Sequence, residues 1–224
     1  MDTMKIVPGV YQYTAVDDCS RFRVLGVYTR ATGANTLDFL ARVVEEMPFP
    51  IQRIQTDRGG EFFHAKVQAR LTDNMIKFRP IPPRSPHLNG KVERSQMTDL
   101  QEFWGRQNPR APKIGQRIEE WQCDYNWRRP HGSLEGKRPV DRLSELTSVT
   151  PLNEDVANMY DPRNERYRHR DYKSDRALAA LWELRRNVGN ASAADAADCA
   201  VSKANMKGQR SPEARFPKSE RMSV

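Results

Sequence analysis

Between residues 10 and 81, short β-rich runs alternate with stretches of helical period. Few architectures other than a sheet with helices packed on it accommodate that order. Val10 to Val16 and Phe22 to Tyr28 are two apolar runs separated by Asp17-Asp18-Cys19-Ser20, so residues 10–29 read as a hairpin. From Gly33 onward, Leu37, Leu40, Val43, Val44 and Met47 recur at spacings of three and four until Pro48. That spacing predicts a helix closed by the proline. Ile51 to Thr56 and Ile76 to Ile81 are short strand candidates, with a helix between them from about His64 to Thr72. Residues 80–90 (PIPPRSPHLNG) hold four prolines and a glycine and predict an extended loop. Two helices follow, from about Gly90 to Arg106 and from about Lys113 to Trp127. On them Trp104, Trp121 and Trp127 fall at spacings typical of packing. The reading is an α/β fold, a mixed sheet flanked by helices.

The chain changes character after residue 146. Residues 147–162, with Pro151 and Pro162, read as a linker, and a short helix is expected around Leu178, Leu181, Trp182 and Leu184. From Gly189 the sequence is rich in Ala, Ser and Asp and then in Lys, Arg, Pro and Ser. It has almost nothing to bury and reads as disordered. The expected division is a core over 1–146, a linker with a helical extension over 147–188, and a tail over 189–224.

Composition narrows the function classes. No stretch approaches the roughly 18 consecutive apolar residues of a membrane helix, and the first residues lack the apolar segment of a secretory signal. Cys19, Cys123 and Cys199 are far apart and never form C-x-x-C, which argues against a zinc finger or a disulfide scaffold and for a reducing cytoplasm. The formal net charge is +8, with 37 basic against 29 acidic residues. The excess is mostly arginine, which forks onto phosphate, so a polyanion such as nucleic acid is the expected partner.

Two carboxylates stand where a metal ion could use them. Asp57 closes a strand just before a Gly-Gly turn (TDRGGEF), where glycines allow close approach of backbone or substrate. Aspartate before glycine is also ordinary turn chemistry. Glu93 lies in the first turn of the helix leaving the proline-rich loop (SPHLNGKVERSQ). The positive helix end favours an acid there whatever its role. Its neighbours sharpen the case: from Lys77 to Arg94 there are five basic residues, Lys77, Arg79, Arg84, Lys91 and Arg94, and one acid, Glu93. A lone acid in a basic loop suits a metal ligand beside a phosphate backbone.

TDRGGEF, the 35 residues between Asp57 and Glu93, and the later run YNWRRPHGSLEGKRPVDRL (Tyr125 to Leu143) together resemble the catalytic core of the DDE integrases and transposases. Within that superfamily the sequence is most similar to the retroviral-integrase-like insertion-sequence transposases. The likeness covers about residues 1–146. It implies an RNase H-like fold and DNA integration or transposition by metal-dependent phosphoryl transfer, with nicking and strand transfer. It also implies a third acid on the strand leading into the hairpin, where Asp2 stands; Asp17 and Asp18, at the hairpin turn, are the other acids in reach.

Two Mg²⁺ (or Mn²⁺) ions are implied as cofactors: Asp2 would bridge both, Asp57 would hold one and Glu93 the other. Such ions can activate an attacking oxygen and stabilise the leaving one, so no protein nucleophile and no organic cofactor are needed. Lys91 and Arg94, then Arg58 and Arg84, are the expected DNA contacts. The implied partners are transposon-end and target DNA and further copies of the chain, in a bacterial cytoplasm at the nucleoid. Related enzymes often place basic residues one and two turns after the glutamate, where this chain has Met97 and Leu100. With Asp2 as the second residue, the first strand is expected to be truncated and frayed, and the helix-turn-helix region usual upstream is not in the sequence. Two other readings stay open: an inactive remnant that binds DNA non-specifically, and an RNase H-type nuclease that cuts RNA in hybrids.

Overall fold

The computed structural model describes residues 1–82 and 85–165. Arg84, the helix expected around Leu178 and the tail from Gly189 lie outside the described residues. Strands β1 (Asp2–Val7), β2 (Val10–Val16) and β3 (Arg23–Tyr28) form an antiparallel meander in that order. Strands β4 (Arg53–Thr56) and β5 (Lys77–Pro80) pair in parallel across helix α2 (Ala65–Asp73). The Met1 nitrogen donates to the Gln55 carbonyl at 2.6 Å, which sets β1 beside β4. Met1 and Ile51 pack against the apolar clusters of both halves, so the two pieces share one core.

The frayed first strand expected from the sequence is not observed. β1 pairs with β2 from Asp2 opposite Thr14 to Val7 opposite Val10, and Asp2 is buried. Pairing with β2 on one side and the Met1–Gln55 bond on the other hold the strand in place.

Helices cover both faces. Helix α1 (Gly33–Glu46) starts at Thr32, whose side chain accepts from the Asn35 amide, and stops before Pro48 as its periodicity predicts. Its Phe39 and Val43 pack on Tyr13, Ala15 and Val24, while Leu40 packs with Ile54, Phe78 and α2. Gly26 of β3 makes room for this, since a Cβ there would meet the Tyr28 ring at 2.7 Å and the Phe39 ring at 3.0 Å. On the opposite face Val10 and Leu25 pack with Phe103, Trp104 and Ile118. Strands buried on both faces carry nearly continuous apolar runs, which is why FRVLGVY lacks alternation.

The single helix expected from Gly90 to Arg106 is interrupted. Helix α3 (Gly90–Thr98) is followed by a wide π turn over Asp99–Phe103 and a 3-10 turn over Trp104–Arg106. The wide turn absorbs an extra residue and shifts the buried stripe, so Asp99, Phe103 and Trp104 face inward while Leu100 faces solvent. Helix α4 (Ile114–Trp127) buries Ile118 and Tyr125 and half-buries Trp121, but Trp127 at its end is 39% exposed, against the packing role expected for it. The stretch expected to be a plain linker instead holds a short helix, α6 (Asn153–Asn158), after α5 (Pro139–Leu146). Val156 of α6 is buried, and Glu165 accepts from the Phe78 amide and from Arg79, so apolar burial and an ion pair fasten the segment to the core.

A fully buried ion pair crosses the sheet–helix interface. Arg23 of β3 meets Asp99 at 2.8 Å, both side chains entirely shielded from solvent. Asp99 also accepts from Gln12 of β2 at 2.6 Å and from the Trp121 indole at 2.7 Å. Arg23 donates to Ser95 at 2.9 Å and lies with its guanidinium 3.2 Å from the Tyr125 ring centroid. Its Nε and Nη2 have no hydrogen-bond partner, so the aromatic faces supply the remaining compensation. Removing one partner of a buried pair strands the other charge. Asp99→Ala is therefore expected to lower the unfolding free energy by about 3–5 kcal/mol in urea titrations. Combining it with Arg23→Met should recover part of that loss, because the stranded charge is then gone.

Candidate active site

Three elements bring acids to one edge of the sheet. Asp2 opens β1, Asp57 follows β4, and Glu93 sits in the first turn of α3. Residues 2 and 93 meet at a single group: the Asn89 side-chain amide donates to Asp2 Oδ2 and to Glu93 Oε1, each at 3.2 Å. Asp2 Oδ1 also accepts from the Thr3 amide at 2.8 Å. Asp57 Oδ1 accepts from the Gly59 amide at 3.0 Å, the turn its sequence predicts.

A fourth carboxylate, Glu61, comes to the same edge. A Cβ on Gly59 would lie 2.7 Å from Glu61 Oε2, so the glycine leaves the space this carboxylate occupies. Desolvation pushes Asp57 above its ordinary value, and the negative charge of Asp2 adds to the rise against the pull of the Gly59 amide and Arg58. Glu61 is raised for the same main reason, with Asp57 and Asp2 adding to it. Burial, with neighbouring carboxylate charge adding to it, leaves Asp57 and Glu61 in surroundings that a cation would relieve. Sequence reading missed Glu61 and Asn89, although both lie inside the quoted motifs, because neither spacing nor type alone distinguishes them from turn residues.

Asp2 and Glu93 are the pair that could hold a hydrated divalent ion. Among the described residues no group of three or more His, Cys, Asp or Glu side chains is placed to hold a metal ion. Mg²⁺ retains several waters and is commonly held by one or two carboxylates together with substrate phosphates, so a closed cage is not required. Asp2 and Glu93 already direct hard oxygen donors at one point, the Asn89 nitrogen. The acids stand outside the neighbouring cleft of about 430 Å³, whose lining runs from Asp18 and Lys91 to Leu143 and Pro151.

The other acids near the hairpin are committed elsewhere. Asp17 accepts from the Cys19 and Ser20 amides and from the Ser20 hydroxyl, which closes the β2–β3 turn. Asp18 pairs with Lys91 at 3.4 Å, an exposed contact between that turn and α3. Lys91 thus has a partner, but an exposed one that it can exchange at little cost. Arg94 is exposed on α3 and Arg58 lies beside Asp57. Met97 and Leu100 are 48% and 37% exposed, so the positions one and two turns after Glu93 present apolar rather than basic side chains to solvent.

Sequence profiles of the integrase core domain match residues 1–86 and residues 74–139, taking in all five strands and α1 to α4. The chain belongs to the integrase-core family. It is 26% identical over 156 residues to the ORF3 product of Spiroplasma virus SpV1-C74, a protein named as an integrase. That match covers 62% of this chain and 43% of the viral protein, so the chain spans less than half the length of this curated relative. The crystal structure of the catalytic core domain of BIV integrase superposes with a TM-score of 0.53 at 15% identity, over 64% of this chain and 92% of that one. The fold is therefore RNase H-like, as the resemblance implied. Integrase core domains are polynucleotidyl transferases that generally use divalent metal ions. Among the described residues no helix is long and apolar enough to cross a membrane.

The later run of this integrase core, YNWRRPH, does not reach the acids. Asn126 brackets the backbone of Arg23, accepting from its amide at 3.0 Å and donating to its carbonyl at 2.8 Å. Arg129 forks onto Glu102 in the π turn. His131 is buried with its ring 4.3 Å from that of Tyr125. Burial, then the nearby Arg129 charge, lowers the His131 pKa from 6.5 to about 4. The unfolded chain then binds a proton that the folded chain refuses between those values, so this contribution to stability is complete above the upper one. As the pH falls from about 6.5 to about 4, the melting temperature is expected to drop, and more steeply in the wild type than in His131→Phe. Equal slopes in the two proteins would contradict the assignment.

Proposed function

We propose that this integrase core carries out DNA strand nicking and strand transfer, for integration or transposition, with Asp2, Asp57 and Glu93 as its metal-holding carboxylates. The observation that carries the reading is the convergence of Asp2 and Glu93 on one amide nitrogen at 3.2 Å, beside an Asp57 whose carboxyl feels the charge of Asp2. Acids so far apart in sequence stand at one edge of the sheet, an arrangement that supports binding of divalent ions and, with Arg58, Lys91 and Arg94 as neighbours in sequence, of a phosphate backbone. When bound, Mg²⁺ or Mn²⁺ would supply the charge that activates the attacking water or 3′-hydroxyl and stabilises the leaving oxygen.

The chain's own residues do the positioning. Asp2 is fixed by strand pairing, Asp57 by its glycine turn, and Glu93 by the helix that the buried Arg23–Asp99 pair anchors. Arg94, Lys91 and Arg58 would hold phosphates near the acids. Contacts of this kind set register without reading bases. Joining two DNA ends calls for two such sites, so the working form is a homo-oligomer.

The direct test is a plasmid nicking and strand-transfer assay with Mg²⁺ or Mn²⁺. Divalent-dependent nicking is expected, with loss of at least about 100-fold in Asp57→Asn, Glu93→Gln and Asp2→Asn, because misplacing one ligand already costs on that order. Cleavage of an RNA–DNA hybrid but not of DNA would replace this reading with a nuclease of the same fold. DNA binding without any divalent-dependent cleavage would mark an inactive core. Separately, binding to duplex DNA is expected to weaken as salt rises, and Arg94→Ala should reduce the magnitude of the log–log slope by about one.

A further inference from the structure

Asn89 lies at the junction of the proline-rich loop and α3, at the helix's N-cap position. Asparagine is among the residues that cap helices best, through a bond from its side chain to a first-turn amide. Asn89 makes no such bond. Its amide is turned instead to the acids and donates from one nitrogen to Asp2 Oδ2 and to Glu93 Oε1. The orientation follows from charge, because ionised carboxylates only accept and the amide oxygen would repel both. The preceding residue is fastened as well: Gln55 of β4 donates to the Leu88 carbonyl at 2.7 Å. The amide is thus delivered to its place from a loop end tied to the sheet.

We propose that Asn89 is a positioning residue that stands in for the cation, bridging Asp2 and Glu93 while no ion is bound and yielding to the ion when it arrives. This rests on the reading of Asp2, Asp57 and Glu93 as metal-holding acids. The partial positive charge of the N–H groups screens the two carboxylates from each other and keeps Glu93 docked against β1. A divalent ion placed between the same oxygens does this more strongly and must first displace the amide. Asn89 therefore holds the site in shape and sets how much metal is needed to fill it.

The test is a titration of the full chain with Mn²⁺ by calorimetry, alongside melting curves in EDTA and at saturating Mn²⁺. Asn89→Ala is expected to melt lower than wild type in EDTA, to bind Mn²⁺ about tenfold more tightly, the scale on which partners of metal ligands act, and to converge with wild type in melting temperature at saturation. Asn89→Ser can still cap α3 and should show the same tighter binding, which separates the bridge from the cap. Unchanged or weaker Mn²⁺ binding in both variants overturns the proposal, even where wild type binds Mn²⁺ and Asp57→Asn does not. Should wild type bind no Mn²⁺, or bind it equally in Asp57→Asn, the metal-site reading fails and this proposal with it.

Discussion

The Arg23–Asp99 pair is the contact on which the rest of this structure hangs. A charge pair with no solvent exposure gains little net stability over apolar residues of the same volume, since desolvation consumes most of the Coulomb attraction. Its value lies in what each partner holds. Asp99 gathers Arg23, Gln12 and Trp121, and Arg23 reaches Ser95 and the face of Tyr125. Through these contacts two strands, α3, the π turn and α4 are locked to a single register. A one-residue slip of α3 would strand several polar groups at once, each costing about 1–3 kcal/mol. Glu93 stands two residues before Ser95 on that locked helix, so the precision of the buried network passes directly to an acid of the site.

The rest of the site depends on how the two halves of the sheet meet. Asp2 and Asp57 belong to different strand pairs and share an edge because β1 lies beside β4. The apolar residues that close this seam, Met1 and Ile51, belong to neither cluster alone. The negative charge assembled there is only partly offset. Gly59, Arg58 and Asn89 each relieve some of it, while burial keeps Asp57 and Glu61 above their ordinary values. The proposed site, held in that condition, would gain more from a cation than a fully satisfied salt-bridge network would.

The run YNWRRPHGSLEG separates family signature from chemistry. Its residues brace the scaffold: Asn126 pairs with the Arg23 backbone, Arg129 pins the π turn, and His131 packs on Tyr125. Glu135 and Gly136 close the turn with positive φ angles of 58° and 83°. None of these groups touches the acids; Asn126 holds the backbone of Arg23, and Arg129 and His131 lie against the Tyr125 ring on which Arg23 rests. A motif can be diagnostic of a family because the scaffold cannot be built without it.

The order of strands and helices, the hairpin, the ends of α1 and the placement of Asp57 after a strand and Glu93 in a helix's first turn were legible in the sequence. Periodicity, turn residues and motif spacing are local properties that the chain carries wherever it folds. The secure placement of Asp2 was not legible, because a strand next to a terminus looks weak until its neighbours on both sides are known. The π turn, the exposure of Trp127 and the helix at Asn153–Asn158 were likewise hidden, since helical spacing does not report an inserted residue or a distant packing partner. Glu61 and Asn89 were visible as letters but not as members of a site. What they do depends on which carboxylates come within hydrogen-bonding or Coulomb range. That range was set by the pairing of β1 with β2 and its alignment with β4, contacts between segments distant in sequence that only the folded chain brings together.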